Sequence, residues 1–136
     1  MKHLAGEEYG YLGETFGRPP TRRPTWFRDD PYTEIDLWAT ANESSAYVVE
    51  VYREATAHAD KTIRRLDLDS PGRVPHWSDA QPTSLGSMLV LMVGETAQHA
   101  GHADIVRELI GAAQPDSATS DDDRFAQAQA AADRFR

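Results

Sequence analysis

Apolar side chains along this chain of 136 residues gather into four stretches, each with helical spacing. The clearest lies between Thr40 and Leu66. There Val48, Val51, Tyr52, Ala55, Ala59, Ile63 and Leu66 recur at a period near 3.6 residues, as one face of an amphipathic helix requires. Thr40-Ala41-Asn42-Glu43 in front of it has the form of a capping box, and Asp69-Ser70-Pro71-Gly72 behind it reads as a turn. An earlier stretch, Lys2 to Phe16, ends at Gly17 before the Arg18-Pro19-Pro20 breaker. A third runs from Thr83, as its cap, to Gly111. A fourth, Arg124 to Phe135, carries Phe125, Ala128, Ala132 and Phe135 on one face and follows Asp121 to Asp123, which suit a helix N-terminus.

Loops rich in Pro and aromatics separate these helices, one holding Trp26, Phe27, Pro31 and Tyr32, the other running from Val74 to Pro82. No strand alternation or internal repeat is present. The pattern therefore predicts an all-α bundle over residues 1–112, an acidic Ser/Thr-rich linker over 113–123 and a C-terminal helix over 124–136.

The third helix contains an anomaly. At about 100° per residue, Glu95, His99 and His102 fall within the stripe formed by Met88, Leu91, Met92, Val106 and Leu109. A carboxylate and two imidazoles on an apolar face need partners, because burying them unpaired costs several kcal/mol. Two explanations compete. Glu95 and His99, spaced i,i+4, can form a hydrogen-bonded pair in the core. Alternatively, residues four apart on one face can reach one ion, and two His with one carboxylate are a ligand set for catalytic zinc or non-haem iron. Such a site still needs a ligand from another helix.

Composition narrows the chemistry. A net charge of −8, with no basic cluster beyond Arg22-Arg23, excludes a phosphate-binding face and hence nucleic acid. With no cysteine there is no disulfide framework, no thiolate zinc site and no protein sulfur nucleophile. No apolar run is long enough for a membrane span and the N-terminus lacks a signal-peptide core, which predicts a cytoplasmic protein without a membrane partner. Lysine occurs only at positions 2 and 61. His58, at the edge of its helix's stripe, reads as a boundary residue, and His76 beside Trp77 as a solvated loop residue. Trp26, Tyr32, Trp38 and Trp77 can either wall a pocket or anchor loops in the core. Asp104 and Arg107 read as a surface ion pair, and Gly94 and Gly101 as points of close approach by a neighbouring helix.

His3-Leu4-Ala5-Gly6-Glu7-Glu8-Tyr9-Gly10-Tyr11-Leu12, the Trp/Pro loop and Glu95-Thr96-Ala97-Gln98-His99-Ala100-Gly101-His102-Ala103-Asp104 resemble the DinB-like metal-binding helical bundles. The likeness is to the actinobacterial branch related to mycothiol-dependent maleylpyruvate isomerase and mycothiol S-transferases, and covers about Lys2 to Gly111. It implies an up-down-down-up bundle, here lacking the family's first helix, whose place the C-terminal helix or a partner chain would fill; a homodimer follows. It also implies His3, Glu95 and His99 as ligands of a divalent metal, zinc first, with nickel or iron as alternatives. His102, one turn further on, becomes a catalytic residue that faces substrate or supports the ligands, or an alternative ligand if Glu95 only hydrogen-bonds.

On that resemblance the chain is a metal-dependent thiol transferase or isomerase, in which a small mycothiol-type thiol attacks a small electrophile. The alternative is a non-catalytic metal-binding bundle of stress-response or interaction type. From its own surroundings His3 is unremarkable, with Glu7 and Glu14 as its helical neighbours. It also falls in a first helical turn, which frays unless something ties it down.

Overall fold

A computed structural model describes residues 1–27, 35–77 and 82–112. It divides into two compact units, Met1–Ala97 and Gln98–Arg136. The expected linker over 113–123 and helix over 124–136, together with Tyr32, lie outside the described residues.

The first unit starts with α1, Lys2–Tyr11, ending in a 3₁₀ turn, Glu14–Phe16, that stops at Gly17 in the left-handed region (φ 66°). The helix changes gauge at Gly13. A Cβ there would collide with the Tyr9 carbonyl and press within 2.9 Å of the Arg18 carbonyl, so only glycine lets the chain turn back this tightly. Thr15 Oγ1 donates to the Gly10 carbonyl at 3.0 Å and satisfies a carbonyl the α-helix leaves behind.

Helix α2 spans Ser45–Ile63 and buries Val51, Ala55, Ala59 and Thr62. This is the expected stripe, shifted so that Thr62 faces inward and Ile63 is 37% exposed. Its start corrects the capping-box expectation. Ser44 is the cap, its Oγ accepting from the Tyr47 amide at 3.1 Å. Thr40 and Glu43 do pair, the Thr40 amide donating to Glu43 Oε2 at 2.8 Å, but in the turn before the helix. That carboxylate also takes the Lys2 ammonium at 2.9 Å, so the segment is bound to α1 instead of opening α2.

A two-residue antiparallel ladder, β1 (Pro71–Gly72) with β2 (Thr83–Ser84), pairs Pro71 with Ser84 and Gly72 with Thr83. Among the described residues the all-α expectation thus holds for everything but this clip, which periodicity cannot reveal in two residues. It also displaces the cap of α3 (Leu85–Ala112) from Thr83 to Ser84, whose Oγ accepts from the Ser87 amide at 3.2 Å.

Two apolar clusters fill the first unit. Leu12, Ala59, Val74, Leu85, Met88 and Met92 form one; Ala5, Tyr9, Trp26, Val51 and Ala55 form the other. Trp26 is therefore core, its Nε1 donating to the Tyr47 hydroxyl at 3.3 Å, whereas Trp38 is exposed.

On α3 the expected core stripe holds for Met88 and Met92, which are buried, and for Leu91, which is partly buried against the same cluster. In the second unit Val106 and Leu109 are 53% and 67% exposed. Periodicity records that a face is apolar; it does not say that anything covers it. No atom lies within 4 Å of where a Cβ would sit on Gly94 or Gly101, so the described residues show no close helix approach at either glycine. Asp104 and Arg107 form the expected exposed pair, at 3.3 Å.

Candidate functional site

The first turn of α1 is held from outside. Lys2 is buried, and its ammonium donates to the Ile35 carbonyl at 2.9 Å, the Trp38 carbonyl at 3.0 Å and Glu43 Oε2 at 2.9 Å. Three donors meet three acceptors, and the loop around residues 35–43 is pinned across the start of the helix. Between the two bonded carbonyls sits Asp36, whose Oδ2 lies 2.7 Å from His3 Nδ1. Glu7, one turn along α1, places Oε1 3.9 Å from His3 Nε2. His3 is consequently half-buried and engaged, not a solvent-facing residue.

Burial pushes the Glu7 carboxyl up to about 7; the His3 imidazole pulls it back, while Glu95 and then Asp36 push it further. Carboxylates from α1, the 35–43 loop and α3 thus act on one another around a single imidazole. The Tyr11 hydroxyl is raised by burial and by Glu7, with a smaller push from Glu95, and its ring stands 6.2 Å from Trp77 and 5.9 Å from His76. The Tyr11 ring is therefore the aromatic group close to Glu7 and Glu95, and Trp77 stands against it.

A carboxyl held above its ordinary 4.5 binds its proton more tightly folded than unfolded. Its stabilising effect is complete below about pH 4.5 and is lost as the pH rises through about 7. For the metal-free protein, Glu7→Gln is expected to remove this slope. The parent should lose up to about 3 kcal/mol relative to the variant between pH 4.5 and 8, read by urea unfolding. Parallel pH profiles would refute the assignment.

Glu95 and His99 occupy successive turns of α3, both half-buried, and His102 follows one turn later, exposed. The His99 and His102 rings meet edge to face at 5.8 Å. His102 lines a shallow open hollow with Val106 and Ile110. His58 takes no part: its Nε2 is 2.7 Å from the Arg18 carbonyl, which secures the turn after Gly17, in keeping with a boundary residue.

Residue patterns missed Asp36 and Glu7. Glu7 had a signal, since His3-x-x-x-Glu7 mirrors the i,i+4 spacing of Glu95-x-x-x-His99. Asp36 had none, because a loop residue met through tertiary contact leaves no periodic trace.

The family model for mycothiol-S-transferase matches residues 1–112. The chain belongs to that family. No curated protein and no solved structure matches it. The match covers the described helices and supports mycothiol as thiol and group transfer as activity. No helix among the described residues is long and apolar enough to cross a membrane.

Proposed function

We propose that this mycothiol-S-transferase family member is a divalent-metal-dependent thiol transferase, with His3, Glu95 and His99 as the metal ligands. One observation carries the reading: the family match spans residues 1–112, which hold His3, Glu95 and His99, the two imidazoles and one carboxylate that the family resemblance assigns to the ion. Two imidazoles and one carboxylate are the donor set of catalytic zinc, which keeps a coordination position open. The carboxylates that raise Glu7 add support, since a cation relieves such repulsion. Zinc fits the donors best; iron or nickel share them.

When bound, the ion supplies Lewis acidity that favours the thiolate form of a coordinated thiol at neutral pH. The protein has no cysteine, so the sulfur arrives with the cosubstrate. The thiol proton leaves to solvent or a neighbouring base, the sulfur lone pair forms the new bond to an electrophilic carbon, and that carbon's bond to its leaving group breaks, the group departing with the electron pair. His102, beside His99 and exposed, is assigned to the substrate side.

The assay is consumption of an electrophilic probe by the purified protein with mycothiol, with and without added zinc, after chelator treatment. Thiol-dependent turnover restored by metal is expected. Metal binding with no turnover for any thiol would leave a binding protein and refute transfer.

A further inference from the structure

His3 is an awkward ligand by sequence, since an imidazole in an end turn swings with the turn. Two contacts oppose that. The Lys2 ammonium ties the Ile35 and Trp38 carbonyls to α1, and Asp36, between them, bonds His3 Nδ1 at 2.7 Å. Asp36 also rests against the next turn, 3.7 Å from where a Cβ on Gly6 would stand, so its carboxylate is confined from that side too.

A carboxylate has lone pairs and no proton to give, so the hydrogen on Nδ1 must belong to the imidazole. A neutral His3 is then the Nδ1–H tautomer, with its lone pair on Nε2. Metal-bound histidines commonly donate their second nitrogen to a carboxylate in this way, which fixes ring orientation and strengthens the ligand.

We propose that Asp36 is the positioning residue of the site: by holding the proton on Nδ1 it presents Nε2 of His3 as the ligand atom. Asp36 touches neither ion nor substrate and acts only through His3. The inference rests on the metal reading above, and extends it to a loop residue that no spacing rule selects.

The test has a metal-free arm and a metal-loaded arm. In the metal-free protein with 15N-labelled histidine, at a pH where His3 is neutral, long-range 15N–1H spectra should show the Nδ1–H tautomer. Asp36→Ala should shift His3 toward the Nε2–H form that dominates in free histidine. Asp36→Asn, whose amide oxygen still accepts, should keep Nδ1–H. In the second arm, competition with a zinc chelator should show Asp36→Ala binding about 10–100-fold more weakly, with Asp36→Asn between it and the parent. A merely structural Asp36 would shift unfolding without moving the tautomer. Nε2–H in the parent, or parent-like zinc affinity in Asp36→Ala, overturns the proposal while leaving the metal reading intact. A parent that binds no zinc removes the metal reading, and with it the role given to Asp36, whichever tautomer is found.

Discussion

Replacing His99 by alanine is expected to strip the purified protein of stoichiometric metal. With two remaining donors, affinity should fall by more than the roughly 10–100-fold typical of losing an outer partner. Thiol transfer should fall with it, while the unfolding free energy of the metal-free protein moves by less than about 1 kcal/mol, since His99 is only half-buried. Mass spectrometry of protein purified without a His tag, calibrated to protein concentration, reads the metal directly. His102→Ala is the control. His102 is exposed beside His99, and its loss should lower turnover with metal retained. Metal retained in His99→Ala and lost in His102→Ala would exchange their roles. No metal in the parent would leave Glu95 and His99 as a hydrogen-bonding pair, the plain alternative their spacing always allowed.

How far the sequence foretold this molecule depends on the range of each interaction. Helix α2 was legible because Val51, Ala55 and Ala59 report burial through a local period. The start of α2 was not, because Glu43 satisfies both its capping geometry and a lysine 41 positions away. The apolar face of α3 was read correctly as core at Met88 and Met92 and wrongly at Val106 and Leu109, which are exposed.

At the site, Glu95 and His99 stood out because a polar letter in an apolar stripe is conspicuous within one helix. His3 came only through family resemblance, as its local neighbours are Glu7 and Glu14. What gives His3 a defined orientation, Asp36 and Lys2, is purely tertiary. Family membership points to mycothiol-related transfer; it did not supply those contacts.

Lys2 should prove the costliest polar residue to remove. It is one of only two lysines in a chain that otherwise uses arginine, and it is 5% exposed. A compact ammonium sends three hydrogens toward Ile35 O, Trp38 O and Glu43, and packs 5.3 Å from the Trp26 ring. An arginine's planar fork cannot aim at three such convergent acceptors from the same stem. Hydrogen bonds from Thr40 and Lys2 hold the Glu43 carboxyl below its ordinary range, so this contact weakens only in acid. Lys2→Met fills similar volume but leaves two carbonyls without their donor and a carboxylate without its counter-charge. The expected loss is about 2–4 kcal/mol in urea unfolding, and Lys2→Arg should recover little of it. Zinc affinity should fall as well, because the Asp36 loop is no longer pinned beside His3. Asp36→Ala should lower that affinity with a much smaller loss of stability. A Lys2→Met protein within 1 kcal/mol of the parent would show that the first turn of α1 does not depend on this clamp, and that His3 owes its placement to something else.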